Sequence, residues 1–592
     1  MNWGIKMSSI FNKVRDINDV ALNILRQRYF KNDETTWDEL VTRVVDYVWT
    51  KDLEDKELVK DMITNLYFIP NSPCLVNAGN SNRSLAACYV IDFKDTIEDI
   101  YKTKLNFALI ARKGGGCGTN ISKIRPEGSI VRGSTHGYAG GPIKFADTIS
   151  KDMEVLSQGG FRSMAIMFSM SIYHPDILRF IFSKVHDGRL NNANLSIIAD
   201  DFFMHNVEYD SIGWHRVKHD KWGEGFLVKN LDDDKYYPKL KQDIKKDDII
   251  LSVGELFNFI VDSVWRNGEP GIVFENKMNN SPYTLVGQKI LGPNVCGEQL
   301  LPDNGICTLG SLDISKFLYN GILDLEKLEL AVRLGVRFLD STYDVNSYPT
   351  KEIEDWAINN RSIGLGIMGF ADYLLSQKIE YGSKVSCDLL EFILNFICKI
   401  AEDESIILGK ELGIPEECKK LPVPRRNITL LTGAPTGSVS LLAGCSSSIE
   451  PIFSEVTIRN DNTGTYQFEN DLINEPYFKC AVSRNGGKEV TWEEHLAILN
   501  SAQRFIDSGQ SKTINCPQGT KKITINKILI AAWKSPYIKG LTIYRNGSRE
   551  KEVLSPKNLK KDLCPYCESE MVKENGCTTC INKECQFSYC EM

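Results

Sequence analysis

Ala86-Ala87-Cys88-Tyr89-Val90-Ile91, a mixed run from Asp95 to Leu109, and then Gly114-Gly115-Gly116-Cys117-Gly118 decide how this chain folds. The first run is apolar, of strand length, and carries a thiol. The second has helical spacing, and the third is a glycine cluster. Strand, helix and glycine-rich connection in succession predict an α/β protein. The glycine spacing narrows the choice. With Gly114 and Gly116 in place, position 119 is Thr, so the dinucleotide fingerprint fails. No glycine precedes Lys-Ser or Lys-Thr at the interval a phosphate loop needs. What remains is a plain tight turn, or a place where glycine lets another backbone come close.

Upstream the chain is helical. Thr36-Trp37-Asp38-Glu39 matches a capping box, and Trp37, Leu40, Val41, Val44, Val45 and Val48 follow as one apolar stripe. Phe68-Ile69-Pro70-Asn71-Ser72-Pro73 ends that region, because proline and the residue before it disfavour helix. Residues 1–69 are therefore expected to be an N-terminal helical region. Residues 70–554, where short apolar runs alternate with longer helical ones, are expected to be a catalytic α/β unit. Within it, Gln158-Gly159-Gly160-Phe161-Arg162 is a second glycine turn. Gly433-Ala434-Pro435-Thr436-Gly437-Ser438-Val439-Ser440 is a third, followed by Ile449-Glu450-Pro451. Its hydroxyls and backbone N–H groups make it the best anion nest of the three. Asn206 to Asp247 is charged, lacks apolar periodicity, and is expected to be a surface insertion. Trp533 to Arg549 predicts a last strand and a basic turn.

Residues 555–592 are a charged linker and a cysteine-rich tail. Cys564-Pro-Tyr-Cys567 and Cys577-Thr-Thr-Cys580 have zinc-ribbon spacing, with Cys585 and Cys590 beyond them. A tail this short needs metal or cross-links to hold a fold. The expected ligands are Cys564, Cys567, Cys577 and Cys580. A rival set uses Cys580 and Cys585 as the second knuckle, which frees Cys577 and Cys590.

Composition sets the outer bounds. The chain has 592 residues, 42% hydrophobic and 25% charged, which is ordinary for a globular protein. A net charge of −7 argues against a chain dominated by nucleic-acid backbone binding. No apolar run reaches membrane-spanning length, and Met1 to Arg28 has no signal-peptide pattern. Seventeen cysteines, an odd number, then predict reduced thiols in the cytoplasm.

Asn294-Val295-Cys296-Gly297-Glu298, with Cys307 downstream, is the most chemical stretch. If extended, residues 294, 296 and 298 share one face, and amide, thiol and carboxylate converge on a small substrate.

Taken together these segments resemble the ribonucleotide reductases, most closely the class II, adenosylcobalamin-dependent members. The resemblance runs through Asn-Ser-Pro at 71–73, Ala-Cys at 87–88, Gly-Gly-Gly at 114–116, Gln-Gly-Gly at 158–160 and His174-Pro175-Asp176-Ile177. It continues through the Asn294–Glu298 centre, Pro435 to Ser440, and Tyr544-Arg545-x-Gly-Ser-Arg549. It implies a ten-stranded α/β barrel of that family's type, with the N-terminal helical region before it and the zinc ribbon after it. It implies that Cys296 is a transient thiyl radical, with Glu298 and Asn294 as its acid/base and hydrogen-bonding partners. Cys88 and Cys307 would be the pair that delivers two electrons. Ser72, Ala87, Cys88, Gly116, the whole 294–298 stretch (Val295 and Gly297 included) and Pro435, Thr436, Gly437, Ser438 and Val439 would contact the ribonucleotide. Asp95 and Arg125 would bind a deoxynucleotide effector. Cys590, with Cys585 (or Cys577 under the rival ligand set), would shuttle electrons from a thioredoxin- or glutaredoxin-like reductant. The implied assembly is a homodimer.

Chemistry suits these residue types. S–H and activated C–H bonds have similar strength, so a thiyl radical can take a ribose hydrogen reversibly. Neither a C-terminal glycyl-radical motif nor the paired tyrosines that relay a radical from a second subunit occur. Arg162-Ser163-Met164-Ala165 and Val295 depart from the family's commoner residues, and there is no Asp-x-His-x-x-Gly cobalamin motif. Two alternatives stand beside this reading. One is a reductase of the same family that receives its radical from a partner subunit. The other is a non-catalytic nucleotide-sensing or nucleic-acid-binding zinc-ribbon protein.

Overall fold

Thr36 caps the best-marked helix of the N-terminal region as its sequence predicts. Its hydroxyl accepts from Glu39 N, and the Glu39 carboxylate accepts from Thr36 N at 3.0 Å. Helices α1 (Asp19–Arg28), α2 (Trp37–Val48) and α3 (Leu53–Thr64) make up this region. All six residues of the expected stripe are buried on α2. The structure, a computed structural model, describes residues 10–12, 17–31, 33–50, 53–131, 137–158, 162–184, 189–190, 192–461, 464–548, 554–557, 571–574, 577–580, 582, 585 and 588–590.

Ten strands form the main sheet: β1 (Phe68–Pro70), β2 (Cys88–Val90), β3 (Gly116–Asn120), β4 (Ile166–Ser171), β5 (Ala193–Ala199), β6 (Gly271–Phe274), β7 (Gly305–Asp313), β8 (Ile363–Met368), β9 (Thr513–Cys516) and β10 (Gly540–Arg545). Strands β2 to β6 run parallel to one another. β7 is antiparallel to β2 and parallel to β8, while β10 is antiparallel to β6 and parallel to β9. The gap between β8 and β9 is bridged by residues 430–433. Leu365 pairs with Leu431, and Gly433 pairs with Gln510, both in parallel. Two parallel halves therefore meet antiparallel at two seams, and the sheet closes on itself with β1 added along β7. Its strands are buried almost throughout, as expected for parallel strands covered by helices.

One local reading is overturned and two become specific. The glycine cluster divides: Gly114 caps the helix Ile97–Lys113 in the left-handed conformation, φ +94°, and residues 116–118 lie within β3. The segment 206–247 is a surface insertion as expected, and it is regularly folded. It contains an antiparallel sheet of strands Arg216–His219, Gly223–Asn230 and Lys235–Leu240. Asn294–Glu298 is not extended. Ile290–Pro293 and Leu300–Pro302 pair antiparallel, and residues 294–299 turn between them. Alternation therefore cannot put residues 294, 296 and 298 on one face. Gly159, Gly160 and Phe161 of the second glycine turn lie outside the described residues, as do Cys564 and Cys567.

Candidate active site

The hairpin that carries Cys296 runs into the middle of the closed sheet, and glycines on two sides let it in. A Cβ on Gly118 would collide with the carbonyl oxygen of Pro293 and lie 3.1 Å from Asn294 Cα. One on Gly116 would lie 2.9 Å from Val295 Cγ2. From the opposite wall, Gly509 N donates to Glu298 O at 2.8 Å, and a Cβ there would strike Gly297 O. Glycine in a strand where two backbones must touch is the physical content of the 114–118 cluster. Further bonds fix the hairpin. Asn120 Nδ2 donates to Leu291 O, Asn194 Nδ2 to Val295 O, and Thr432 Oγ1 to Glu298 O.

Within the turn, Asn294 N donates to Gln299 O and Gln299 N to Asn294 Oδ1. Gly297 takes φ +79°, the left-handed value that tightens such a turn. Asn294 and Glu298 are thereby brought together at the base, 1% and 2% exposed, while Cys296 is exposed at the tip. Asn294 Nδ2 lies 2.8 Å from Glu298 Oε1 and 3.0 Å from Cys88 Sγ, and Cys88 Sγ lies 3.3 Å from the same Oε1. Turn geometry thus achieves the convergence that an extended strand would not. Cys307 stands directly opposite Cys88 in the β2–β7 ladder, and both are reduced and buried.

Burial pushes the Glu298 carboxyl above the usual range, partly opposed by the Asn294 amide. Burial, reinforced by the Glu298 charge, raises the Cys88 thiol, and burial raises Cys307. Glu298 Oε2 is buried with no hydrogen-bond partner among the described residues. A buried carboxylate oxygen left unpaired is costly, and such atoms mark places where a ligand is missing.

A cavity of about 830 Å³ opens on the tip of the turn and is lined by Val295, Cys296, Gly297, Pro435 and Gly437. Three buried or half-buried cations also line it. Lys512 pairs with Glu450, Lys539 donates to Asp507 O at 2.6 Å, and Arg459 donates to Gly437 O at 3.1 Å. Sequence reading missed Thr432, Gly509 and these three, which stand in no motif. Thr436 is a structural clasp. Its Oγ1 accepts from Ser448 N at 2.8 Å and its N–H donates to Ser447 Oγ. Ser438 N-caps the short helix Val439–Ala443 without a side-chain bond. Ser72 is reached from α1, through Tyr29 Oη at 2.7 Å, and Ala87 O accepts from Gly116 N.

Asp95 and Arg125 come together away from this cavity, with Arg125 Nε 2.8 Å from Asp95 Oδ2. In the tail the backbone register sets Cys577 opposite Cys590. No metal-ligand cluster occurs among the described residues.

Comparison with known proteins agrees with the geometry. The ribonucleotide reductase all-alpha domain model matches residues 15–83, and the ribonucleotide reductase barrel domain model matches residues 86–423 and 419–544. A vitamin B12-dependent ribonucleoside-diphosphate reductase of Thermoplasma acidophilum is 34% identical, over 89% of this chain and 70% of its own length. One of Mycobacterium tuberculosis is 30% identical, over 96% of this chain and 84% of its own length. In fold, the chain is similar to the class Id ribonucleotide reductase alpha subunit of Actinobacillus ureae, with a TM-score of 0.69 at 18% identity, covering 90% and 97% of the two chains. A barrel closed around a thiol-bearing hairpin and preceded by a helical region, each matched by its own domain model, places this chain in the ribonucleotide reductase large-chain family.

Proposed function

We propose that the chain makes 2′-deoxyribonucleotides from ribonucleoside diphosphates by thiyl-radical chemistry, with adenosylcobalamin as its cofactor. Ribonucleotide reduction is the activity of the family. The diphosphate and cobalamin readings are drawn from the names of the relatives in Thermoplasma and Mycobacterium. The observation that carries the site reading is the orphaned Glu298 Oε2 beside Cys88 and Asn294, a base waiting for a hydroxyl.

The residues around Cys296 fit the cofactor. The cavity extends past Cys296 along Met167, Ser196, Ile272 and Thr542, giving an adenosyl group its own approach to the thiol. Tyr544 on the cavity wall has Ile543 as its neighbour, and the adjacent tyrosines of the chain, Tyr236 and Tyr237, lie in the 206–247 insertion and do not line the cavity. Adenosylcobalamin, when bound, would supply the hydrogen-atom acceptor that turns the Cys296 thiol into a thiyl radical. Cys296 then takes a hydrogen from the ribose. Glu298 removes the 3′-hydroxyl proton, and its raised pKa makes it a stronger base than an exposed carboxylate. Cys88, kept protonated by burial, gives its proton to the departing 2′-hydroxyl. Cys307 gives its hydrogen to C2′. The pair closes to a disulfide by passing one electron to the 3′-carbonyl as Glu298 returns its proton there, and Cys296 gives its hydrogen back to C3′. Asn294 holds base and thiol in register. The Pro435–Val439 turn holds the phosphate through its backbone, since the Thr436 hydroxyl is already engaged. Ser72, Ala87 and Gly116 complete the substrate contacts, and Asp95 with Arg125 binds the deoxynucleotide effector.

Tail cysteines restore the spent pair. Leu554 lines the cavity, and residues Leu554–Pro556 pair with the strand Val456–Asp461, so the tail is rooted at the cavity mouth. The opposed register of Cys577 and Cys590 supports these two as the shuttle pair. Zinc would then take Cys564, Cys567, Cys580 and Cys585, the rival set; the alternative keeps Cys585 with Cys590 as the shuttle. A thioredoxin- or glutaredoxin-like protein is the reductant of a cytoplasmic homodimer, divided into 1–69, 70–554 and 555–592. Turnover of CDP with adenosylcobalamin and dithiothreitol, and with no second protein, tests the whole reading. Activity that requires another subunit, or CTP reduced in preference to CDP, would refute the corresponding part.

A further inference from the structure

The insertion at 206–247 has no place in the chemistry so far, yet its first turn is fixed against the element that carries Arg125. The Lys218 N–H donates to Tyr173 O at 2.8 Å, and His219 Nε2 lies 2.9 Å from Lys123 O. His215 is buried and stacked on Tyr173, with its Nε2 3.0 Å from Ile172 O. These bonds put Lys221, at the tip of the turn, on Asp95. Its Nζ lies 3.0 Å from Asp95 Oδ2 and 2.6 Å from Asp95 O. Arg125 takes the same two oxygens from its own side, Nε at 2.8 Å from Oδ2 and Nη2 at 3.4 Å from the carbonyl. One carboxylate, 8% exposed, therefore holds two cations on a single oxygen. The trio keeps a net positive charge, and Lys221, 46% exposed, forms its outer face.

From this arrangement we infer that Lys221 is an effector-binding residue that grips the phosphates of the deoxynucleotide. The inference rests on the reading of Asp95 and Arg125 as the effector site. The chemistry is that of a polyphosphate anion meeting two converging cations, of which Arg125 offers a fixed fork and Lys221 a mobile point charge. Asp95 positions both cations and neutralises only one. The insertion is thus the part of the fold that delivers the second cation to a site otherwise built from barrel elements.

Equilibrium binding of dTTP and of thymidine to the full-length protein separates the possibilities. Variants Lys221→Ala, Lys221→Arg, Asp95→Asn and Arg125→Ala are compared with the parent, each checked by its thermal melt. Lys221→Ala should weaken dTTP by roughly five- to thirtyfold, the scale of one charge-assisted phosphate contact. It should change thymidine binding less than twofold, and Lys221→Arg should recover most of the dTTP affinity. Unchanged dTTP binding in Lys221→Ala, with losses in Asp95→Asn and Arg125→Ala, would overturn the inference and leave the effector site standing. Equal weakening of dTTP and thymidine would reduce Lys221 to a loop support and also overturn it. If none of the four variants altered dTTP binding, the effector-site reading itself would fail and this inference with it.

Discussion

Replacing Gly118 with alanine should silence the enzyme without unfolding it. The new Cβ points at a backbone atom, the carbonyl oxygen of Pro293, and sits 3.0 Å from its carbonyl carbon and 3.1 Å from Asn294 Cα. No rotamer relieves that contact, so the hairpin must back away by roughly 1 Å at the residue just before Asn294. Asn294, Glu298 and Cys88 meet within 3.3 Å of one another, and Asn294 moves with Pro293. A displacement of about 1 Å in a catalytic constellation costs on the order of 100-fold in rate, or about 2.7 kcal/mol of barrier. Stability should fall by about 1–3 kcal/mol, the usual cost of overpacking. Gly519→Ala is the control, since a Cβ there meets nothing within 4 Å, and it should keep activity within about threefold. The assay is single-turnover CDP reduction by pre-reduced protein, beside a thermal melt. Gly118→Ala at parental activity and stability would mean that the hairpin is not seated on β3 as described.

Four further outcomes are expected. Cys296→Ser should abolish reduction of every nucleotide while leaving nucleotide binding intact, and any turnover by it with any reductant would refute the radical assignment. Glu298→Gln should lower kcat by roughly 10²–10⁴-fold. Burial holds the folded Glu298 pKa above its unfolded value, so the folded state binds the extra proton and this residue's contribution to stability falls as pH rises through that range. The melting-temperature gain of Glu298→Gln over the parent should therefore widen from about pH 4 to about pH 8, and a gap that narrowed would reverse the argument. Truncation near Asp562 should remove one tightly bound zinc, and stoichiometric zinc retained in metal analysis would place its ligands elsewhere. Cys590→Ser should slow multiple turnover with a protein reductant and spare dithiothreitol-supported turnover; a variant that matched the parent with the protein reductant would make the tail structural.

Much of this was legible in residue order, and the misses have physical causes. The α2 capping box and stripe follow from local rules, and the six stripe positions are buried as expected. β2 was legible because a fully buried strand is a continuous apolar run. Asn294 to Glu298 was read correctly in composition and wrongly in shape. Period-two reasoning applies to a ladder, whereas pairing of Pro293 with Leu300 makes this stretch a turn. Gly116 and Gly118 signalled a close backbone approach, but nothing local says that the approaching chain is 175 residues away. Thr432 and Gly509 escaped notice because ring closure alone brings them to the hairpin. Lys221 escaped for a related reason, since its meaning depends on where histidines anchor the insertion.

Barrel closure between β8 and β9 has a consequence of its own. β4 and β5 share a register of six consecutive pairs, whereas β8 and β9 do not pair directly. The ring is joined through residues 429–433, which accept from Ile363 N and Leu365 N, donate from Thr432 N to Leu365 O, and bond Gly509 O and Ser511 N through Gly433. That seam depends on a connecting segment rather than on strand-to-strand pairing. Pro435 and the turn that runs to Val439 follow it by two residues. A nucleotide seated on that turn would act as a clasp, since any ligand that favours the closed wall lowers the population of the parted one. Amide hydrogens at Leu365, Thr432 and Gly433 would then exchange more slowly with substrate bound, while those along β4 would not change. In mechanical terms the substrate is the last stave of the vessel that encloses it.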